Sequence, residues 1–573
     1  MVLSMSKARI LGFLFRIGLW APLLFAFFLK NQIPAIGWPA LLGLGLQALV
    51  GPVLVRSVRA SHTTRPAWSE WGVFLSLSAL AGCYFVGRSL WLPVLWEAAT
   101  LCCLLMYVGT SFSRRSVESI GALLFASAVS GLLLAAWVLS PNESQAPIFL
   151  LLAVLLKTAF FGFHLWLPAA YGGAPAHAAA LYSGLMVNLP FLLYVQNLHG
   201  HWTPSPALLT VLILLSAFGA FYGGLTALFK RDSQRLLAYS SIECVNTLWC
   251  CLFLDLFLTS RGLTGLSALW LPIFVLLMVH YSVSKTFQFL TFGHAQEVAG
   301  TTQIDSLKGT LRGLGVSPLL LGMGSFSFLG VPGTPGFLAE GALFLALAGL
   351  FNKEVLAGSY LLPAICWLLL GIVLGGMAHY RVFLSTVLGV PEKSPPAVPE
   401  KSPLIASPLF ELAAWMILAP VLLGVFIYRY SYLFSPVPVL EGWLQILIFV
   451  SLLVIILLTL AFGFGWRHRI HERKLWDCGG NYSGADLSVP ASVYSDPVYS
   501  SLGRYFLRVD GTSFFDASFW RWLHGLFDVG HYWTRQVERG EVSTYLRFAL
   551  SFAISSVGLL YLVRAIFESG VTS

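Results

Sequence analysis

The chain has 573 residues, of which 57% are hydrophobic and 10% charged, and its 34 Lys and Arg against 25 Asp and Glu give a formal net charge of +9. Soluble domains carry about 25% charged residues, so most of this surface must face a bilayer, and the basic excess is read as membrane topology, which excludes a nucleic-acid partner. There is no Walker sequence, no Gly-rich loop after a strand and no HExxH, and the 8 cysteines include the adjacent pairs Cys102-Cys103 and Cys250-Cys251 but no CxxC; nucleotide hydrolysis and iron-sulfur ligation have no visible machinery on this chain.

A spanning helix needs about 20 apolar residues. Windows of that kind run nearly end to end, at residues 10–29, 33–55, 71–88, 90–110, 117–139, 147–167, 174–197, 206–229, 236–258, 266–292, 313–351, 358–380, 404–428, 441–464 and 549–567. The predicted fold is therefore an all-α integral membrane protein of about 15 transmembrane helices. The first window follows a short basic stretch but lacks a small-residue cleavage pattern, so it is read as a helix and not as a signal peptide.

The window 313–351 is too long for one straight helix and contains Val331-Pro332-Gly333-Thr334-Pro335-Gly336, so it is one interrupted passage or two short ones. Charge arbitrates. Counted once, it leaves the basic residues on alternate loops: Arg56, Arg59 and Arg65; Arg114 and Arg115; Lys230, Arg231 and Arg235; Lys308 and Arg312; Arg381, Lys393 and Lys401; Arg467, Arg469, Arg473 and Lys474. The positive-inside rule puts these loops, and Lys7 and Arg9, on the cytoplasmic side of a bacterial or archaeal inner membrane.

The expected organisation is N-terminal transmembrane helices at 1–70, a translocation core at 71–390, a Pro-rich cytoplasmic linker at 391–403, C-terminal helices at 404–464, a cytoplasmic or interfacial segment at 465–548 and a final helix at 549–573. The segment before the final helix holds the aromatic group Phe519, Trp520, Trp522, Phe527, Tyr532 and Trp533, suited to docking a neighbouring subunit or to lying on the membrane surface. Two passages are interrupted in comparable ways, at Phe163 to Pro175 and at Phe328 to Phe337. Paired breaks point to a repeated transporter with its path at the breaks.

Charges inside spanning helices cost several kcal/mol, about 3 for Arg, Lys or Asp at the centre, unless paired or hydrated, and so they mark function. Glu97 and Lys157 lie inside their windows, and Glu243, Lys285 and Glu340 lie inside or near the ends of later ones; His164, His280, His294 and His379 are further titratable groups. A proton path needs groups that change protonation without a large penalty, and a buried lysine set by a movable carboxylate does so. Glu97 with Lys157 is the expected pair. The competing reading makes each charge a helix lock or a snorkelling side chain. His280 and Lys285 are about 140° apart around one helix at 3.6 residues per turn, so they need not share a face.

The run Lys157-Thr158-Ala159-Phe160-Phe161-Gly162-Phe163-His164-Leu165-Trp166-Leu167-Pro168, followed by Ala174-Pro175-Ala176-His177 and Ser183-Gly184-Leu185-Met186, resembles the central signature of the antiporter-like subunits of respiratory complex I and its relatives. Within that group the chain is most similar to formate hydrogenlyase subunit 3 and hydrogenase-4 component B, through Lys230 to Ser241 with Glu243, Lys285 to Gly293, Gly336-Phe337 with Glu340, Trp476-Asp477-Cys478-Gly479, Tyr494 to Pro497 and Arg535 to Tyr545. The resemblance implies two inverted repeats, each with a broken helix bearing a Lys, and gives Glu97, Lys157, Lys285 and Glu340 roles in a proton path, which His164, Glu243 and His280 are expected to join as ionisable groups of the apolar windows. It also implies a non-catalytic subunit without cofactors of its own, beside other membrane subunits and a soluble catalytic module carrying iron-sulfur clusters, NiFe or zinc. Two other expectations stay open: ion-coupled inorganic-carbon uptake with a soluble zinc partner, and a structural anchor whose path has decayed. Asn188 and Gln234 stand where the relatives have lysines, and Tyr281 where they have a histidine; the lysine missing at Asn188 removes the bridge between the two halves.

Overall fold

The computed structural model describes residues 37–60, 66–108, 113–141, 145–311, 318–350 and 361–389, together with the isolated positions 409, 411, 413, 416 and 450. The expected first helix, the linker 391–403, the final helix and the segment 465–548 with its aromatic group lie outside the described residues, and the helices expected at 404–464 lie outside them except for those isolated positions.

Among the described residues seven helices are long and apolar enough to cross a membrane. They follow from the apolar windows, and polar residues at the ends stop them. Helix α1 spans Trp38–Ala60, α2 Pro66–Phe85, α3 Trp91–Cys103 and α4 Arg114–Leu139, whose N-cap Ser113 accepts from the Ser116 amide. After the interrupted region come α8, Asn188–Asn197, and α9, Pro206–Phe229, capped by Ser205 with Pro206 in its first turn. Asp232 caps α10, Ser233–Ser260, by accepting from the Arg235 amide at 3.0 Å. After the short α11, Thr264–Ser267, helix α12 runs over Trp270–Ala299 and stops at Gly300, whose φ of 66° is open to glycine without a Cβ clash.

The first interruption begins earlier than the sequence suggests. Helix α5, Ala146–Lys157, ends at the lysine itself, so Lys157 is not well inside a continuous helix but is its last residue. Ala159 turns into the left-handed region at φ 56° and Gly162 follows at 99°. An alanine there costs roughly 1–2 kcal/mol, strain of the kind retained at functional sites. The chain resumes as α6, Trp166–Gly172, and α7, Ala176–Leu181, and then passes through a π-helical turn at Tyr182–Met186 before α8.

The second interruption separates α13, Pro318–Ser327, from α14, Pro335–Gly349. At ~1.5 Å per residue these halves rise about 15 and 22 Å, each short of a hydrocarbon core of about 30 Å. The pair counts as one passage, as the loop charges require. The expectation that both broken helices carry a lysine is corrected: Lys285 lies in the uninterrupted α12, and the second broken helix carries Glu340. No glycine or proline falls between Pro272 and Gly293 to break α12.

Small residues set the closest packing, around α9, α10 and α15, Leu361–Phe383. A Cβ on Gly224 would strike the Gly371 carbonyl, one on Gly371 would lie 2.6 Å from the Ala220 carbonyl carbon, and one on Gly223 would lie 2.5 Å from the Glu243 amide. Spanning helices approach this closely only through glycine or similarly small residues. The contact carries Glu243 into the interior, against Gly375.

Candidate functional site

Three polar centres lie in the apolar interior. The first is built on Lys157, at the carbonyl end of α5, where the helix dipole favours a cation. Its ammonium donates to Thr100 Oγ1 at 2.9 Å and to Ser127 Oγ at 2.6 Å, and lies 5.5 Å from the Trp96 ring centroid. Ser127 and Thr100 also bond to each other at 2.9 Å. Glu97, one helical turn before Thr100 on α3, packs its carboxylate against Gly131, where any Cβ would displace it. Glu97 Oε1 has no hydrogen-bond partner among the described residues. The expected pair is thus brought to neighbouring turns, with Thr100 and Ser127 as the hydroxyl partners of Lys157.

The second centre surrounds Lys285. Its ammonium donates to Ser240 Oγ at 2.5 Å, is 3.4 Å from His379 Nε2, and sits 4.5 Å from the Phe328 ring centroid. Ser240 also bonds to His379, and His379 stacks on Phe328 at 4.2 Å. One turn along α10 from Ser240, the Glu243 carboxylate accepts from Thr247 Oγ1 at 3.3 Å and from Cys244 Sγ at 3.3 Å. His280 points to other elements, as the helical angle requires. Its Nδ1 is 3.0 Å from Ser327 Oγ at the second break, and its Nε2 is 3.6 Å from Glu340 Oε1. The two directions meet at Phe328, whose ring lies 5.0 Å from that of His280.

Between these centres lies the third, at the π-helical turn. Asn188 Nδ2 donates to Ser282 Oγ at 2.7 Å and to the Gly184 carbonyl at 2.9 Å, and Ser183 is 3.2 Å from Ser241. A cavity of about 20 Å³ is lined by Tyr171, Ser183, Asn188, Ser241, Tyr281 and Lys285 among others. A water needs about 10–15 Å³ measured in this way and two to four polar partners, so the space suits one ordered water. Asn188 therefore borders a hydratable space that reaches Lys285.

Of the expected residues, Glu97 and Lys157 share the first centre, and Glu243, Lys285, His280 and Glu340 surround the second. His164 is placed apart, in the first break, stacked on Phe161 at 5.1 Å with its Nδ1 accepting from the Gly162 amide at 3.2 Å. Sequence reasoning gave Thr100, Ser127, Ser240 and Phe328 no role, and gave His379 no place. A hydroxyl inside an apolar helix is the only signal that Thr100, Ser127 and Ser240 offer, and many such hydroxyls merely bond to their own helix, as Thr286 does to the Ser282 carbonyl at 2.8 Å.

Residues 101–364 match the family described as NADH:quinone oxidoreductase/Mrp antiporter, transmembrane. The match covers less than half of the chain. The chain is 27% identical over 241 residues to NADH-quinone oxidoreductase subunit M of Rickettsia typhi, covering 42% of this chain and 44% of the relative. It is 30% identical over 216 residues to F(420)H(2) dehydrogenase subunit M of Methanosarcina mazei, covering 37% and 41%. The match thus spans less than half the length of either relative. In fold, the chain resembles one in the membrane-bound sulfane sulfur reductase, an archaeal respiratory membrane complex, with a TM-score of 0.63 at 16% identity over 95% of each chain. The matched stretch contains the residues of the three polar centres except Trp96, Glu97 and Thr100, just before it, and His379, beyond its end.

Proposed function

We propose that this chain is a proton-translocating membrane subunit of an energy-converting complex, whose redox cofactors sit on a soluble catalytic module and on other chains. The observation that carries the reading is the set of buried ionisable groups, Glu97, Lys157, Lys285, Glu243, His280 and Glu340, inside a membrane bundle, with hydroxyl partners at Lys157 and Lys285 and a water-sized cavity beside Lys285. Lysines and carboxylates in such a setting are expensive, and Lys157, Lys285 and Glu243 have hydroxyl or thiol partners that stabilise them without locking them into a direct ion pair. A protonation change at one site alters the next by electrostatics in a low dielectric. Asn188 serves as the bridge by orienting a water instead of carrying the proton itself.

The resemblance to hydrogenase-4 component B favours a hydrogenase-type partner. The basic loops and the N terminus would face the cytoplasm. His164 would belong to the path as a modulator of the first break and not as a carrier, because its ring packs between Phe161 and Tyr222.

The test is mass spectrometry of the mildly solubilised native complex, combined with turnover-driven proton movement in proteoliposomes for the wild type and for Lys157→Ala. Co-purifying redox subunits, with proton movement lost in the variant and assembly intact, support the reading. A zinc protein without redox partners indicates inorganic-carbon uptake instead. Unchanged proton movement in the variant eliminates Lys157 as a carrier.

A further inference from the structure

Lys285 and Glu340 belong to two polar clusters. The first holds Lys285, Ser240 and His379. The second holds His280, Ser284, Ser327 and Glu340, tied by Ser284 Oγ donating to Ser327 Oγ at 2.9 Å and by the Gly336 amide donating to the same oxygen at 3.1 Å. Among the described residues no hydrogen bond or ion pair joins one cluster to the other. They lie on different sides of α12, because positions 280 and 285 are about 140° apart around it.

Phe328 reaches both. Its ring centroid is 4.5 Å from the Lys285 ammonium, 4.2 Å from the His379 ring, on which it stacks, and 5.0 Å from the His280 ring. Tyr281 lies nearly parallel to it at 6.0 Å. Each cluster also keeps one buried imidazole nitrogen without a hydrogen bond, His379 Nδ1 in the first and His280 Nε2 in the second. Buried polar atoms are nearly always hydrogen-bonded, to water where protein offers nothing, so both nitrogens are unsatisfied while the ring stands beside them. The cavity at Asn188 reaches Lys285, but Phe328, His280, Glu340 and His379 are not in its lining. Lys285 thus has a hydratable space towards Asn188 and an apolar ring towards Glu340.

The backbone around the ring is jointed. Phe328 directly follows α13, and Gly330 and Gly333 take φ of 61° and 92°, which glycine adopts without a Cβ penalty. A Cβ on Gly330 would lie 3.2 Å from Glu340 Oε2, and one on Gly376 of α15 would lie 2.8 Å from the Phe328 carbonyl oxygen. The joint is therefore packed against the carboxylate on one side and against the helix of His379 on the other.

We infer that Phe328 is an aromatic gate between Lys285 and Glu340, closed while Lys285 carries its proton. This rests on the proton-translocating reading, and it makes Phe328 a positioning residue that carries no proton itself. An ammonium is attracted to the face of an aromatic ring, most strongly where water is excluded. The neutral amine lacks that attraction, so protonated Lys285 favours the closed state and loss of its proton releases the ring. A ring turned aside leaves a space of phenyl size in which water can bond His379 Nδ1 and His280 Nε2 and join the clusters. With the ring in place the gap is apolar, as in hydrophobic constrictions that close by dewetting. The proton that Glu340 or His280 gives up is the one the amine gains, and the ammonium so formed draws the ring back behind it. The titratable groups facing this region among the described residues are Glu243 and Cys244 on α10, His280, Tyr281 and Lys285 on α12, Glu340 on α14 and His379 on α15. Of these, Glu243 is held by Thr247 and Cys244.

The experiment uses the complete purified complex in proteoliposomes at rest, its soluble module given no substrate, and reads passive proton entry driven by a potassium diffusion potential. Phe328→Leu keeps apolar bulk but removes the ring, and is expected to leak about tenfold or more faster than the wild type, the scale set by a lost desolvated cation–π contact. Phe328→Tyr keeps the ring and should stay as tight as the wild type. Adding Lys285→Met to Phe328→Leu should abolish the leak, which a leak through damaged packing would survive. A tight Phe328→Leu, or a leak that persists in the double variant, overturns the gate. If Phe328→Leu does not assemble, Phe328→Met takes its place in the same comparisons. Normal turnover-driven proton movement in Lys157→Ala overturns the parent reading instead, and because it is measured apart from the resting leak the two failures stay distinct.

Discussion

Thr100→Val isolates one hydroxyl partner of the first lysine. The substitution keeps the shape of the side chain and removes the hydroxyl that accepts from Lys157 at 2.9 Å and from Ser127 at 2.9 Å. Lys157 then keeps one hydroxyl partner, Ser127 at 2.6 Å. A hydrogen bond to a charged group contributes about 1.5–3 kcal/mol. If it is lost from the protonated state alone, the ratio of protonated to neutral Lys157 falls by about 10-fold to 150-fold, since 1.4 kcal/mol is a factor of ten. Turnover-driven proton movement in proteoliposomes should fall by at least about tenfold, with the amount of assembled complex unchanged, and Thr100→Ser should restore most of it. Wild-type proton movement in Thr100→Val, alongside its loss in Lys157→Ala, would refute the claim that the hydroxyl is part of the path.

Asn188→Leu should fill the 20 Å³ cavity and remove the amide that holds Ser282; proton movement should drop severely while the complex still assembles, and equal rates for variant and wild type would show that the two halves communicate by another route. Gly371→Val acts on packing alone: its side chain would collide with Ala220 on α9, and overpacking of this kind costs about 1–3 kcal/mol or more, so the thermal midpoint of the purified complex should fall by several degrees. An unchanged midpoint would mean that α9 and α15 do not pack as described.

How much of this was legible in the chain differs from residue to residue. The helix windows were, because a bilayer demands an apolar run of fixed length, and α9 occupies residues 206–229 as expected. The charged positions were also legible, because an ionisable residue in hydrocarbon stands out against its neighbours. The end of α5 was not. Lys157-Thr158-Ala159-Phe160 is a good apolar helical run, and only the left-handed turn at Ala159 stops it.

The sequence by itself determined that this is a membrane bundle with two broken passages and a small set of interior charges, because those properties depend on local composition and on the solvent the chain must face. Tertiary structure alone decided which groups meet. Lys157 finds its hydroxyls on α3 and α4, Lys285 finds Ser240 on α10 and His379 on α15, and His280 finds Glu340 across the second break. These partners are far apart along the chain and of ordinary residue types, so no local pattern marks them. They meet because small residues let particular helices approach and because a buried charge must find polar company wherever the packing provides it.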